Sequence, residues 1–294
     1  MVDETFSSYT KPASTYNYYP LSDIHLGSPM CNEDELARWV KQIRDDPMAR
    51  WSLGGDVGDL ITPKDRRWQH GVLAERYLLK AGRIPDATLE HAEGVFAPIA
   101  AKCWFLGVGN HEQTIAKHYD RGIGAELAAR LGIPERYIGY RGFCGVAFRH
   151  LKTGAATTAR LWIDFHHGWQ AGRSYGPFHG EAERLLGHSP AEIILRGHSH
   201  KRQAHVFTSW VFGHQRPRQQ TRIVACCGTF LQSHEWHRPV DAGHMSDVAD
   251  DGWAETKGFR PSDPLGPPVL HIRIPQRSRG SAGQPSLHLS VTLP

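Results

Sequence analysis

Apolar and polar positions along the chain follow two periods, and these predict both helices and strands. In the first half, short apolar runs end in glycine-rich or polar turns, and a helical pattern follows each of them. The clearest helix starts after Asn32, has Leu36, Trp39, Val40 and Ile43 on one face, and ends at Pro47. This alternation of strands and helices predicts an α/β protein.

The other elements of the first half follow from the same reasoning. Further helices are predicted at 65–81, 86–101 and 122–131, the last of them ending at Gly132. The predicted strands of this half cover residues 16–21, 51–53 and 103–108. Their apolar runs are short and uninterrupted, which is typical of strands that are covered on both faces of a sheet.

The second half is richer in strands. The runs 143–149 and 160–165 are predicted to pair with each other, and a helix near 180–187 leads to a strand at 192–195. Four further alternating runs are predicted as strands, near 203–213, 219–226, 268–274 and 286–293. Residues 234–266 fit neither period and predict a long surface loop that could lie near a functional site. No strong linker interrupts residues 1–294, so we expect a single domain with two sheets.

Composition narrows the class of protein. The chain has 294 residues, of which 40% are apolar and 22% are charged, so it can bury a sizeable core and is not wholly disordered. No apolar run reaches the roughly 18 residues needed to span a bilayer, so no membrane association is expected. The net charge of +4 is too small to indicate nucleic-acid binding by itself.

Two features bear on the compartment. The first residues lack the apolar segment of a signal peptide, and five cysteines form no CxxC pair. An odd number of cysteines suits a reducing environment better than a disulfide framework. We therefore expect a cytoplasmic protein.

Candidate chemistry comes from the 19 histidines and from polar residues at predicted strand ends. Five strand ends carry such residues: Asp23 and His25, Asp56 and Asp59, Asn110 and His111, His166 and His167, and His198 and His200. Loops at the carboxyl ends of parallel strands converge on one cleft. Oxygen and imidazole ligands together suit Mn²⁺, Fe, Zn²⁺ or Ni²⁺. So many ligands exceed the needs of one tetrahedral ion, which predicts two ions sharing a carboxylate.

These residues resemble the pattern of the calcineurin-like metallophosphoesterases. All five blocks of that pattern occur in order: Asp23-Ile24-His25, Gly55-Asp56-Val57-Gly58-Asp59, Gly109-Asn110-His111-Glu112, His167-Gly168 and Gly197-His198-Ser199-His200. Segments after His167 and near residue 258 are similar to phage and prophage members, which is a weaker match. The resemblance implies a four-layer α/β/β/α sandwich, in which two mixed β-sheets face each other with helices outside.

The resemblance also implies a role for each residue. Asp23, His25 and His200 would hold one metal ion, and Asn110, His167 and His198 the other. Asp56 would bridge the two ions, and Asp59 would orient a ligand histidine from outside the metal shell. His111 would not bind metal but would protonate the leaving oxygen.

Some assignments remain open. His166 competes with His167 as the ligand, and the position before Gly168 favours His167, with His166 beside it in the outer shell. Arg173 is a tentative substrate-binding residue, with an ordinary solvated arginine as the alternative. Arg66 and Arg67 are expected on the solvated face of the helix predicted at 65–81.

The implied activity is that of a dinuclear phosphohydrolase in which a metal-bridging hydroxide attacks the phosphoester. A phosphodiesterase acting on nucleotides or nucleic acids is favoured, with two Mn²⁺ ions as cofactors; Fe, Zn²⁺, Ni²⁺ or Mg²⁺ are the alternatives. A phosphomonoesterase and a non-catalytic nucleic-acid or protein binder are the other hypotheses. Leu60 and Ile61 replace the arginine and glycine typical of protein phosphatases, which disfavours that activity.

Overall fold

Two mixed six-stranded β-sheets pack face to face, with helices on their outer surfaces. The structure is a computed structural model that describes residues 5–9, 14–65, 67–68, 72–78, 83–150, 159–168, 176–212, 217–232, 264–274 and 287–294. The predicted fold class, an α/β protein with two mixed sheets flanked by helices, is confirmed.

The elements of the described residues have the following bounds. The strands are β1 (Thr5–Tyr9), β2 (Thr15–Leu21), β3 (Ala49–Gly54), β4 (Cys103–Gly107), β5 (Tyr137–Gly139), β6 (Arg141–His150), β7 (Ala159–His166), β8 (Ile193–Arg196), β9 (Arg202–Phe212), β10 (Pro217–Cys227), β11 (Val269–Arg273) and β12 (His288–Thr292). The helices are α1 (Glu33–Asp45), α2 (Glu75–Leu78), α3 (Ile84–Phe96), α4 (Asn110–Tyr119), α5 (Ile123–Arg130) and α6 (Gly176–His188). Short 3-10 helices cover Ala97–Lys102 and Pro134–Arg136.

The strand order brings several carboxyl ends to the same edge of each sheet. In the first sheet, with order β12-β11-β2-β3-β4-β5, strands β2 to β5 are parallel neighbours. In the second, with order β1-β6-β7-β8-β10-β9, strands β7, β8 and β10 are parallel. The loops that leave these strands are therefore grouped at two sheet edges rather than spread over the molecule.

The interior between the sheets is aromatic. The rings of Tyr18 and Trp104 lie 4.6 Å apart, and those of Phe105 and Phe165, on opposite sheets, lie 5.4 Å apart. Large aromatic side chains bury much apolar area, so this layer contributes strongly to the hydrophobic stabilisation of the fold. It holds the two sheets, and the loops at their ends, in a fixed relation.

Outer helices cover the remaining apolar faces. Helices α1, α3 and α5 pack on the first sheet, and α6 packs on the second. In strand β8, successive side chains point to opposite faces of the sheet. Ile193 and Leu195 face the other sheet, while Ile194 faces α6. Helix α1 begins as predicted, with Asn32 Oδ1 accepting a hydrogen bond from the Glu35 amide at 2.9 Å.

The helix predicted at 65–81 is wrong. Among its described residues, only Glu75–Leu78 is helical. Residues 62–65 form a turn instead, with the Asp65 amide donating to the Thr62 carbonyl at 2.8 Å. Pro63 at the second position favours such a turn.

Three elements were not predicted, namely the strands β1 and β5 and the helix α4. Strand β5 is only three residues long, and β1 is largely polar, so neither has a clear pattern. Helix α4 lacks a side-chain N-cap, because the preceding residue is Gly109.

Two predictions concern regions that are only partly described. Residues 234–263 of the predicted loop at 234–266 lie outside the described residues. The long-loop prediction and the single-domain prediction therefore stay predictions. Among the helices of the described residues, none has the length and apolar character needed to span a bilayer.

Candidate metal centre

Loops from both sheets meet at the edge where the parallel strands end. Strands β2, β3 and β4 lead into the segments that carry Asp23, Asp56 and Asn110. Strands β7 and β8 lead into the segments of His167 and His198, which approach from the facing sheet. All the residues predicted as metal ligands take part in the two clusters described next.

One cluster consists of Asp23, His25 and His200, whose candidate ligand atoms all lie within 4.8 Å of one another. His25 Nε2 is 3.2 Å from His200 Nε2, and His200 Nε2 is 3.4 Å from Asp23 Oδ1. On its other side, His25 Nδ1 lies 3.0 Å from Asp59 Oδ1. If Nδ1 donates its hydrogen to that carboxylate, Nε2 presents a lone pair to the cluster.

The other cluster consists of Asp56, His167 and His198, again within 4.8 Å, together with Asn110. His167 Nε2 lies 3.1 Å from Asp56 Oδ2 and 3.2 Å from Asn110 Oδ1. Asn110 Oδ1 is also 2.7 Å from His198 Nδ1. His167 Nδ1 donates to the Gly54 carbonyl at 2.7 Å, which leaves Nε2 facing oxygen atoms.

This arrangement fits divalent cations. In a neutral His167, the Nε2 lone pair would face two oxygen acceptors in a buried place, and such a contact is unfavourable without a positive charge between them. A metal ion bound between these atoms would accept an electron pair from the nitrogen and from each oxygen. Carboxylate, amide and imidazole ligands together suit first-row divalent ions.

Asp56 connects the two clusters. Its Oδ2 faces His167, and its Oδ1 accepts a hydrogen bond from the His111 amide at 2.9 Å. It also forms a third compact group with His25 of the first cluster and with His111. A buried carboxylate in this position can contact ions in both clusters.

The electrostatics favour positive charge at the centre. Burial opposes ionisation of Asp56, but His111 and His167 hold the pKa of its carboxyl well below the usual range. Burial also opposes a charge on His167, yet the carboxylates of Asp56 and Asp23 raise the pKa of its imidazole to about 10. The site thus stabilises a cation where a metal ion would bind.

The backbone is strained at the same residues. Five of the seven non-glycine residues with positive φ in the described part of the chain are Asp23, His25, Asp56, His198 and His200. The left-handed region costs an L-residue roughly 1–2 kcal/mol. Strain of this kind concentrates at functional sites, where the surrounding structure holds it in place.

The structure separates the two neighbouring histidines after β7. Both rings pack edge-on against Tyr140 with centroids 5.4 Å apart. Only His167 is fully buried and belongs to the second cluster, whereas His166 is half-buried and belongs to none of the compact ligand groups. Arg173 lies outside the described residues.

Glu112 is a buried residue to which sequence analysis assigned no role. Its carboxylate accepts hydrogen bonds from the amides of Asp56 and Val57, both at 2.9 Å, and from the Gly109 amide at 2.7 Å. It therefore ties the loop after β3 to the loop after β4. These loops approach so closely that a Cβ on Gly55 would lie 2.2 Å from the Gly109 nitrogen. The sequence did contain a signal for this role: Glu112 is the third residue of α4, a position at which glutamate commonly accepts hydrogen bonds from backbone amides at a helix start. It was missed because α4 itself was not predicted.

We expect Glu112→Gln to weaken metal binding without removing any ligand. The amide can accept fewer of the three backbone hydrogen bonds and would bring an N–H group against backbone donors. Titration of the metal-free protein with Mn²⁺ should show roughly a 10–100-fold loss of affinity, the usual cost of losing an outer-shell partner. The exposed Glu90→Gln serves as the control, and an unchanged affinity in Glu112→Gln would contradict this role.

Arg67 is not on a solvated helix face, contrary to the prediction. It lies outside any helix, and its Nη1 is 3.0 Å from His111 Nε2. The turn at residues 62–65 redirects the chain so that this arginine reaches the edge of the candidate metal centre.

No protein-family model matches the chain, and no curated protein matches it significantly. A predicted phosphoesterase from Streptococcus pneumoniae is 9% identical, with a TM-score of 0.34 over 95% of this chain and 99% of that one. Vps29 from Chaetomium thermophilum is 11% identical, with a TM-score of 0.34 over 94% of this chain and 96% of that one. A zinc complex of Vps29 from Entamoeba histolytica is 9% identical, with a TM-score of 0.35 over 94% and 98%. Similarity at this level carries no argument about function, so the functional assignment depends on the site itself.

Proposed function

We propose that the protein is a dinuclear metal-dependent phosphohydrolase, and specifically a phosphodiesterase acting on nucleotide or nucleic-acid phosphoesters. The observation that carries the proposal is the pair of ligand clusters joined by Asp56 and flanked by His111. Two clusters sharing a carboxylate are the arrangement used by two-metal hydrolases.

In this proposal each cluster holds one ion, with Mn²⁺ favoured. Asp23, His25 and His200 would hold the first ion, Asn110, His167 and His198 would hold the second, and Asp56 would be shared by both. Bound divalent ions supply Lewis-acid activation of water and offset the negative charge of the phosphoryl group. Asp59 keeps the His25 ring oriented through the 3.0 Å contact with Nδ1.

In this proposal His111 supplies the proton that the leaving oxygen needs. Its Nδ1 donates to the Asp59 carbonyl oxygen, so Nε2 is the atom available to a substrate. The ring is 6% exposed and lies at the first turn of α4, beside Asp56. Burial and the neighbouring Arg67 guanidinium oppose a charge on this ring, but Asp56 and Asp59 outweigh them and raise the pKa of His111, which favours the protonated acid.

Two features of the chain bear on the choice among phosphoesters. Leu60 and Ile61 are buried at the positions where protein phosphatases carry a phosphate-binding arginine and a glycine, which disfavours a phosphoprotein substrate. The mildly positive net charge of +4 is compatible with a nucleotide or nucleic-acid substrate but does not by itself indicate one.

The test combines metal analysis with a substrate screen of the full chain. We expect about two Mn²⁺ ions per chain, as a two-metal site requires, and hydrolysis of bis-p-nitrophenyl phosphate that EDTA abolishes and Mn²⁺ restores. p-Nitrophenyl phosphate and single-stranded DNA, assayed alongside, separate monoesterase and nuclease activities. Metal binding without turnover of any substrate would overturn the enzymatic assignment, and monoester turnover alone would overturn the diester preference.

A further inference from the structure

Arg67 is a cation at the rim of the candidate metal centre that the roles above do not use. Its Nη1 lies 3.0 Å from His111 Nε2, the atom assigned to the leaving-group side. Its side chain is 41% exposed, so one part of the guanidinium faces solvent while another part meets a buried imidazole. The contact joins the loop after β3 to the start of α4.

The guanidinium is held rigidly. Its Nε and Nη2 donate to the two carboxylate oxygens of Asp65 at 3.0 and 2.8 Å, and the Arg67 amide also donates to Asp65 Oδ1 at 2.9 Å. The loop is itself anchored, because Tyr119 of α4 donates its hydroxyl to Thr62 Oγ1 at 2.9 Å. Because two of the three guanidinium nitrogens bind Asp65, the direction of the third nitrogen, Nη1, is fixed.

That third nitrogen points to where a substrate oxygen would bind. When the His111 ring is neutral, Nδ1 donates to the Asp59 carbonyl and Nε2 can accept a hydrogen bond from Arg67 Nη1. When the ring is protonated, Nε2 and Nη1 both carry hydrogens, so an oxygen acceptor shared between them satisfies both. The two nitrogens are 3.0 Å apart, so an oxygen placed to receive a proton from Nε2 also lies within reach of Nη1. The pair therefore forms a site for one anionic oxygen.

We propose that Arg67 binds a phosphoryl oxygen of the substrate together with His111, and that its charge favours phosphoryl groups with the greater negative charge. The inference rests on the proposed function and refines it by naming a residue that selects among phosphoesters. A phosphomonoester dianion or inorganic phosphate gains more from a fixed cation than a diester monoanion does. Arg67 thus moderates the diester preference of the site.

The experiment compares Arg67→Gln, Arg67→Lys and wild type, each as the Mn²⁺-loaded full chain. Arg76→Gln is the matched control, since Arg76 also pairs with a carboxylate, Glu33, but does not contact His111. The readouts are metal content, the affinity for inorganic phosphate by calorimetry, and kcat/KM for p-nitrophenyl phosphate and bis-p-nitrophenyl phosphate.

We expect Arg67→Gln to keep its metal and to bind phosphate roughly 10–100-fold more weakly, as expected for loss of a hydrogen bond to a charged group. The loss of kcat/KM should be larger for the monoester than for the diester. Arg67→Lys should recover part of the phosphate affinity and part of kcat/KM, because lysine keeps the positive charge but lacks the planar guanidinium with its several N–H donors. Arg76→Gln should match wild type.

Three results would overturn the inference: phosphate affinity unchanged in Arg67→Gln, equal losses for monoester and diester, or loss of metal in both Arg67 variants. The last would mean that the arginine only supports the fold. If wild type neither binds metal nor hydrolyses any phosphoester, the proposed function fails. Calorimetry with inorganic phosphate still tests Arg67 in that case, and equal affinity in wild type and Arg67→Gln would overturn the inference as well.

Discussion

Replacing Asp56 by asparagine is expected to remove bound metal from both clusters and to reduce hydrolysis to background. The carboxylate is 1% exposed, and its Oδ2 lies 3.1 Å from His167 Nε2. An amide has no negative charge to offset two cations, and it would turn an N–H group toward one of its neighbours. The loss should exceed the roughly 10–100-fold that removal of an outer-shell partner costs, because Asp56 contacts both ions in the proposed arrangement.

The measurement is elemental analysis of the protein after dialysis against trace Mn²⁺. Asparagine is isosteric, and its carbonyl can still accept the hydrogen bond from the His111 amide, so the fold should be retained. Urea unfolding of the metal-free proteins checks this point. Asp34→Asn, on the exposed face of α1, is the control. Wild-type metal content in Asp56→Asn would rule out Asp56 as a bridging ligand.

Replacing His111 by alanine is expected to leave the metal content unchanged and to lower turnover by roughly 10²–10⁴-fold for poor leaving groups. The reason is that an alkoxide leaving oxygen needs a proton, whereas p-nitrophenolate leaves readily without one. We therefore expect a much smaller loss with bis-p-nitrophenyl phosphate than with an alkyl phosphodiester. The comparison is made from kcat on both substrates at saturating Mn²⁺.

His118→Ala is a suitable control, because His118 is exposed on the last turn of the same helix. Equal losses with good and poor leaving groups would exclude the acid role. Loss of metal in His111→Ala would instead make His111 a ligand, since one of its ring nitrogens lies within 4.8 Å of ligand atoms of His25 and Asp56.

The residues of the candidate site could be predicted because each follows a recognisable strand. Apolar runs such as those before Asp23 and Asp56 show where β2 and β3 end, and parallel strands end at one edge. The strand–helix alternation likewise predicted an α/β protein with two sheets. That both sheets are mixed and face each other was implied by the resemblance of the motifs to a known family. Local pattern was sufficient for these features because they depend on neighbouring residues.

Prediction failed where contacts between distant segments determine the structure. The turn after Thr62 replaces the expected helix and brings Arg67 to His111, which is 44 positions away in the chain. Glu112 gains its role only because three amides from two loops converge on its carboxylate. Neither contact could be predicted from the spacing of apolar and polar residues along the chain.

The order of amino acids was enough to specify which residue types lie at the strand ends, and hence the chemistry available there. Packing of the two sheets decided which of these side chains meet, for example His167 rather than His166, and how far apart their nitrogen and oxygen atoms lie. It also holds Asp23, His25, Asp56, His198 and His200 in left-handed backbone conformations. Local propensity opposes such conformations, so only the many contacts of the folded protein can maintain them.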